Sequence, residues 1–461
     1  MIKSAWIDRH FSVLFWGCFL LGLALTLLFA NNQILTGDQT QMLFKGYLGA
    51  RSGEWLNFGN AASAVGNVPG SLSAYIVGLP LLLWDSPWAP MGLLIGLHAL
   101  AYLMFDAVVK RSFDQKVRLV LMLIYWLSPW LMFENLLYNP SYLFFAAALH
   151  LWTAFELRSR PSFRYTLLHI LAIGFAMQLH YSWPVLAVVS TLLFYRKLIH
   201  ISWLGLLSGF ALILASLIPY LLEYQDNPSL SRESDRYIGY GAVHVYPVVK
   251  AVLYWLRYGS LLFSKKLIGG AEFDWLTDSE MIRNMVRYSW QALLYSVGAA
   301  TLILSARINY QAWHKIKGRL RRPAGRSTVS STVCSTVCST ETAEHWLLLY
   351  AFAALIGILI AAALSPITFS YWHLIIALPA ALLPLLAKAQ EWLATRSPRR
   401  ELLLLGLFGY LLIVNLVAAH DSQKYSYATS YSEQVEHYLQ QQESIPVRVQ
   451  QGTQKSGHLA Q

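Results

Sequence analysis

Apolar runs dominate the chain, and polar residues gather in short blocks between them. Runs long enough to cross a bilayer lie near residues 11–30, 88–109, 117–133, 141–157, 165–180, 182–195, 201–222, 288–305, 345–364, 370–388 and 401–419. A hydrocarbon core about 30 Å thick asks for roughly 20 apolar residues in a helix, so the shorter runs must stand upright or draw on their flanks. The pattern predicts an all-α polytopic membrane protein of about eleven transmembrane helices. The stretch Ser71 to Trp84 is also apolar, but it is short and bounded by Pro69-Gly70 and Asp85-Ser86-Pro87. Its length suits an interfacial or re-entrant helix better than a span.

The first run follows Lys3 and Arg9, as the core of a signal peptide would. It ends in Asn31-Asn32-Gln33 with no small-residue cleavage site, and therefore reads as a retained first helix.

Composition agrees with the membrane class. Hydrophobic residues make up 56% and charged residues 13%, about half the charge of an ordinary soluble domain. The net charge of +11 would suit a nucleic-acid partner, but the basic residues collect in short loops between apolar runs, where they orient helices. With the N-terminus inside, those loops hold Lys110, Arg111, Lys116 and Arg118; Arg158, Arg160 and Arg164; Arg196 and Lys197; seven more between Arg307 and Arg326; and Lys388, Arg396, Arg399 and Arg400. Together with Lys3 and Arg9 they make 22 of the 35 basic residues, against 7 of the 24 acidic ones. If 71–84 spanned, every later loop would invert and these clusters would face out, against the positive-inside rule. The expected location is the plasma (inner) membrane, with a cytoplasmic N-terminus.

This topology divides the chain into a transmembrane module, 1–419, and a polar extracytoplasmic tail, 420–461. Residues 31–87 form a first outer loop with juxtamembrane helices, and 223–287 form a long outer loop rich in charges and aromatics. Residues 306–344 form a basic inner loop that holds the low-complexity run Ser327 to Thr340, which reads as a flexible linker. Of three cysteines, Cys18 lies in the first apolar run and Cys334 and Cys338 in the inner loop, so no disulfide framework is implied. The last two have ligand-like spacing, but no further Cys or suitable His lies close by.

Polar residues recur on the outward side. Thr36-Gly37-Asp38-Gln39 follows the first helix and precedes a stretch of helical periodicity that carries Lys45 and Arg51. Asp38 suits either an N-cap, closing free backbone N–H groups, or an acid facing a lipid headgroup. The outward turn after the third run contains Ser128-Pro129, Glu134 and Asn139-Pro140. An acid such as Glu134 at the membrane edge needs water or a partner, whereas Asn139 before Pro140 fits a cap. Gln178-Leu179-His180-Tyr181 forms the tip of a tight hairpin, and Tyr371-Trp372-His373 opens a later helix. Interfacial aromatics are commonly belt residues, but both histidines fall on the side of Asp38 and Glu134.

In this order the features resemble the integral-membrane glycosyltransferases of the GT-C superfamily, the group that contains protein O-mannosyltransferases and lipid A aminoarabinose transferases. In that family an Asp lies just after the first helix; here that is Asp38. The Gly-Pro-Leu-Tyr-like element that ends the first loop is matched by Asn67 to Tyr75. The Ser-Pro turn with a later Asn-Pro corresponds to Ser128-Pro129 and Asn139-Pro140. The Gln-Leu-His-Tyr hairpin corresponds to Gln178–Tyr181, and the aromatic-rich helix with a later proline to Tyr371–Pro379. The likeness is good over roughly 10–220 and loose beyond. The chain departs from it at Gln39, where relatives often have a second acid, and at Glu134-Asn135, where they often have a basic residue before the Asn-Pro.

The resemblance implies an inverting transfer of sugar from a polyprenyl-phosphate carrier to an extracytoplasmic lipid, glycan or protein. Asp38 would be the catalytic base, and Lys45, Arg51, Glu134, Asn139, His180, Tyr181 and His373 would bind substrate. No cofactor is implied outright; metal use stays open, with a divalent cation as the candidate. The implied partners are the lipid-linked donor, membrane lipids and the acceptor, with no nucleic acid. The rival reading is a lipid or lipid-linked sugar transporter or flippase. That class favours internal repeats and mid-membrane charge; no repeat is evident, and Asp106 sits only a few residues from Lys110-Arg111.

The topology makes a direct prediction. A cysteine placed near position 114 should stay unreactive toward an impermeant thiol reagent in intact cells. Labelling there would invert the assignment of every loop after 84.

Overall fold

A computed structural model describes residues 5–62, 66–227, 230, 245–263, 269–321, 335–365, 370–395 and 397–443. Cys334, the side chain of Cys338, most of the low-complexity run and the tail beyond 443 lie outside the described residues.

The protein is a bundle of helices with one small hairpin of strands. From the N-terminus come α1 (Ala5–Asn32), α2 (Gly37–Ser52), β1 (Phe58–Ala62), β2 (Gly66–Pro69), α3 (Leu72–Leu83) and α4 (Trp88–Lys110). Next are α5 (Gln115–Leu121), a π-turn (Met122–Trp126), α6 (Pro129–Met132), a 3-10 turn (Asn139–Tyr142), α7 (Leu143–Leu157), α8 (Phe163–Met177), α9 (Pro184–Tyr195) and α10 (Trp203–Asp226). The second half holds α11 (Val245–Tyr258), α12 (Glu280–Arg321), α13 (Ser335–Ala363), α14 (Tyr371–Leu374), α15 (Leu378–Leu393), α16 (Pro398–His420) and α17 (Tyr431–Glu443).

Each expected apolar run falls in helix. Among the described residues, seven helices are long and apolar enough to cross a membrane by length and composition: Arg9–Asn32, Trp88–Lys110, Trp203–Asp226, Glu280–Lys317, Ala343–Ala363, Tyr371–Leu393 and Arg399–His420. The other four runs are shorter or interrupted. The 117–133 run breaks at the π-turn and again at Ser128, which caps α6 by accepting from the Trp130 amide. These four helices sit inward. Helix α7 is buried on nearly every side, which is where a helix apolar all round belongs. By contrast, α10 turns Leu204, Leu207, Phe210, Leu214 and Ile218 outward and buries only Gly205 and Gly209. A Cβ at Gly205 would stand 2.6 Å from the Phe163 carbonyl and one at Gly209 2.8 Å from Ile170. The two glycines therefore form a small-residue seam that lets α10 lie against α8.

Ion pairs tie the end that carries the basic loops. Arg118 grips Asp106 through Nε at 2.8 Å and Nη2 at 2.6 Å, Arg111 meets Glu156, and Lys315 joins Glu344 at 2.5 Å and Glu391 at 3.2 Å. Asp106, the one charge within a span noted in the sequence, is thus neutralised locally.

At the other end, α2 and α3 pack face to face. Gly46 and Gly78 make this possible: a Cβ on Gly46 would sit 2.3 Å from Val77, and one on Gly78 would sit 2.7 Å from the Gly46 carbonyl. Helix α3 has 12 residues and so is about 18 Å long, well short of a bilayer core. The antiparallel pair β1–β2 (Phe58↔Pro69, Ala61↔Asn67, Ala62↔Gly66) folds beneath α2. Gly46→Ala should overpack this seam and lower the stability of the detergent-solubilised protein by about 1–3 kcal/mol. An unchanged thermal transition would show that α2 and α3 do not approach this closely.

Candidate functional site

Asp38 lies in the first turn of α2, but it is not the cap. Thr36 occupies the N-cap with extended backbone, and its amide donates to Gln39 Oε1 at 2.9 Å. The side chain of Gln39 is fully buried and also bonds Gln33. The residue that departs from the family pattern thus closes the helix start. This corrects the capping reading of Asp38: its carboxylate is free of that duty and exposed, while its carbonyl accepts from Asn60 Nδ2 at 3.0 Å.

Glu134 is fully buried in the turn after α6. The Tyr138 hydroxyl donates to its Oε2, and the Tyr371 hydroxyl also faces the carboxylate. Its other oxygen lies 4.0 Å from the ammonium of Lys424. Lys424 comes from the stretch after α16. Its Nζ donates to the Tyr371 hydroxyl at 2.9 Å and lies over the rings of Tyr138, Tyr371 and Trp372 at 5.0, 5.4 and 5.9 Å. Such a cage holds a cation through ring quadrupoles as well as through the carboxylate.

The tail delivers Lys424 by pairing with the end of α1. The Ile34 amide donates to the Lys424 carbonyl at 2.8 Å, and the Ser426 amide to Asn32 at 2.7 Å. Tyr425 is fully buried, edge-on to Phe29 at 4.6 Å. Helix α17 then docks back, with Gln434 bonding Leu35 and Gln33, Tyr431 reaching Pro87, and Tyr438 reaching Thr40.

Burial raises the Glu134 carboxyl above its ordinary range, against the pull of Lys424 and the two tyrosines. Partial desolvation also raises Asp38, with Lys424 opposing. Burial lowers the Lys424 ammonium, and Glu134 and then Asp38 hold it up. Lys424 is therefore shared between both acids.

His180 and His373 face each other with ring centroids 5.8 Å apart. His373 lies tilted against Trp372, ring centroids 5.5 Å apart, so the pair joins the rim of the Lys424 cage. Burial and the neighbouring His373 lower His180 to about 3, leaving it neutral at physiological pH; its Nδ1 meets the Ser182 hydroxyl at 2.9 Å. The Tyr181 hydroxyl donates to the Asn67 carbonyl at 2.9 Å and Asn139 Nδ2 to the Leu179 carbonyl at 2.7 Å. These two residues fasten the 178–183 hairpin to the first loop and to the 134–142 turn.

Lys45 and Arg51 are not brought to this cluster. Lys45 is buried with Nζ donating to the carbonyls of Phe58 and Gly59, and burial lowers it to about 7. It bolts α2 to β1. Arg51 lies 13 residues beyond Asp38, about 20 Å along the helix, over the Tyr47 ring and 3.9 Å from Asp85. The cations near the site come from elsewhere: Lys424, and Arg257 on α11, whose guanidinium lies 5.7 Å from the Trp130 ring. Lys250, on the same helix, turns its charge toward His373. Sequence reasoning missed these residues. The signal for α11 was present in Pro247, Ala251, Trp255 and Tyr258, buried at helical spacing; Lys424 carried none.

Together, bundle and site define a multi-pass, predominantly helical membrane protein with an acid–cation–acid cluster at one end. No protein-family model and no curated protein matches the chain. The chain is similar to two crystal structures of ArnT from Cupriavidus metallidurans. One is bound to undecaprenyl phosphate (14% identity, 90% of this chain and 64% of that one, TM-score 0.48). The other is in the apo state (13% identity, 82% and 78%, TM-score 0.41). It is also similar to the archaeal oligosaccharyltransferase AglB from Archaeoglobus fulgidus, in complex with an inhibitory peptide and a dolichol-phosphate (10% identity, 94% and 60%, TM-score 0.42). The chain thus spans less than two thirds of the length of the undecaprenyl-phosphate-bound ArnT chain and of AglB. Among the described residues, no group of three or more His, Cys, Asp or Glu is placed to hold a metal ion.

The Lys424 pairing carries its own prediction. Lys424→Met strands a buried carboxylate and should destabilise the protein by about 3–5 kcal/mol. Adding Glu134→Gln should recover most of that loss in thermal or denaturant unfolding in detergent. Equal stability of the single and double variants would mean that the two groups are not coupled.

Proposed function

We propose that the chain is an inverting glycosyltransferase that moves a sugar from a polyprenyl-phosphate carrier to an acceptor on the extracytoplasmic side. The observation that carries this reading is the division of labour around Lys424. A cation is held by a buried acid, Glu134, and feels a second, exposed acid, Asp38. The phosphate of a lipid-linked sugar needs a cation at the bilayer surface, and Lys424 is fixed there by the tail, with Arg257 and Lys250 nearby. Asp38 is open to an incoming hydroxyl, whereas Glu134 has no exposure and serves to hold Lys424.

In this mechanism the acceptor oxygen attacks the anomeric carbon on the face opposite the phosphate. Asp38 takes the hydroxyl proton. The bond from carbon to phosphate oxygen breaks with its electron pair leaving on the phosphate, where Lys424 meets the charge. One displacement inverts the anomeric configuration, and one base suffices because the leaving group departs as an anion. The residues present supply charge for the phosphate without a divalent cation, and the transfer assay with and without chelator tests whether one is used.

The test is sugar transfer by the full chain in nanodiscs that contain a polyprenyl-phosphate sugar, read as release of the free carrier phosphate. Asp38→Asn should lower turnover by about 10²–10⁴-fold, the usual worth of a general base. Its thermal transition should hold, because Thr36 and Gln39 keep the helix start. Because the Asp38 carboxyl is raised, the wild-type rate should fall on acidification at a higher pH than an ordinary carboxylate near 4 would give. Wild-type turnover in Asp38→Asn would remove Asp38 as the base. No carrier release by the wild-type chain with any sugar tested would remove the transferase reading.

A further inference from the structure

The hairpin that presents Lys424 also lines a partly open cavity of about 490 Å³, within the size range of small-ligand sites. Three rings cluster along it, tilted against one another. His420 lies 4.6 Å from Trp275 and 4.0 Å from Tyr427, and Trp275 and Tyr427 remain about half exposed, at 49% and 54%. Three carboxylates, Glu272, Asp274 and Asp421, also line it, and among the described residues no Lys or Arg does.

The loop carrying Trp275 is held under strain. Phe273 adopts φ 60°, a left-handed conformation that side-chain-bearing residues rarely take. Asp421 fixes it there: Oδ2 accepts from the amides of both Glu272 and Phe273 at 2.7 Å. The Phe273 ring packs against Trp290 at 6.2 Å, and Asp274 is braced by Arg283 at 2.6 Å. Strained backbone persists where its surroundings over-determine it, and such places cluster at binding sites. Here the consequence is that Trp275 is laid against His420 with its outer face open.

We infer that this cavity binds the carbohydrate acceptor, as a neutral or amino-bearing sugar. Exposed aromatic faces take the C–H face of a pyranose, and carboxylates accept hydrogen bonds from hydroxyls. Among the described residues the wall carries three acids, only one of them paired with an arginine, Arg283, and that excess of negative charge turns away anionic sugars. The word acceptor rests on the transferase reading above; the sugar site does not. Ser422, Gln423, Tyr425 and Ser426 line the cavity on either side of Lys424 in sequence, so a sugar seated on Trp275 and Tyr427 lies against the same hairpin that carries Lys424.

Saturation-transfer NMR on the full chain in nanodiscs tests this, with maltose, chitobiose and mannobiose as neutral probes and glucuronic acid as the anionic one. At least one neutral probe should receive saturation at its ring C–H protons, and glucuronic acid should not. Trp275→Ala and Tyr427→Ala should each weaken that binding by about three- to tenfold, the usual worth of one aromatic contact. Glu272→Lys, on an exposed position, should weaken it without touching packed residues, and Asp38→Asn should leave it intact. Silence from all neutral probes, equal binding of glucuronic acid, or binding that survives both aromatic substitutions would overturn the inference. Carrier release without disaccharide binding would sink the cavity while sparing the transferase, and binding without carrier release would do the reverse.

Discussion

A cation removed from water must be held by counter-charge and polarizable surfaces, and one end of this protein is organised around one such cation, Lys424. Glu134 supplies the buried counter-charge, and Tyr138, Tyr371 and Trp372 supply the rings. These residues come from the turn after α6, from α14 and from the tail, segments separated by most of the chain. None of them is stable in this arrangement alone: Glu134 without Lys424 is a stranded acid, and Lys424 without the rings and Glu134 would return to solvent. Satisfying the pair therefore forces the tail to dock on the end of α1. That docking carries Tyr425 into the space between Phe29 and Phe133 and leads α17 back over the start of α2, where Asp38 lies.

The two acids near Lys424 differ in environment, and that difference separates their roles. Glu134 has no exposure and accepts from a tyrosine. Asp38 is exposed at the first turn of a helix that is already capped by Thr36 and Gln39. Groups whose surroundings push them apart in this way are suited to different tasks in one site. An inaccessible carboxylate orients; an accessible one exchanges protons. The histidine pair extends the same logic, because burial keeps His180 neutral and able to offer a hydrogen bond without adding charge beside the cation.

Much of this was legible in the chain itself, for identifiable reasons. Apolar length found the helices, since bilayer thickness fixes how many apolar residues a span needs. The expectation that Asp38, Glu134, His180 and His373 share one end followed from alternating the helices. What stayed hidden was whatever depended on side-chain partners. Lys45 looked like a free cation beside the acid, but its stem and ammonium bolt α2 to β1 through two carbonyls. Asp38 looked like a cap because Asp caps helices well, yet Thr36 two residues earlier had the better position. Lys424 sat in a stretch that read as a plain polar tail, and only three-dimensional docking turns it inward. Helix α11 carried a readable apolar stripe that the loop's charge and aromatic content masked.

The same distribution explains why chemistry at a surface fits this bundle better than passage through it. A transport path keeps polar groups at mid-membrane that face water or exchange partners. Several of the polar side chains inside the spans are already tied. Asp106 is gripped by both arms of Arg118. His150 bonds Tyr350 and Ser190 at 2.8 Å each, and His169 bonds Ser190 at 2.9 Å and Thr153 at 3.0 Å. That network cross-links α7, α8, α9 and α13 and leaves neither ring nitrogen of either histidine idle. Its effect is to make the interior rigid. A rigid bundle is a poor carrier but a good platform, because a displacement at the bilayer surface requires acid, cation and lipid phosphate to keep fixed relative positions. The cluster around Lys424 lies at one end of this braced interior, where, on the proposed reading, a lipid-borne phosphate would meet a fixed cation.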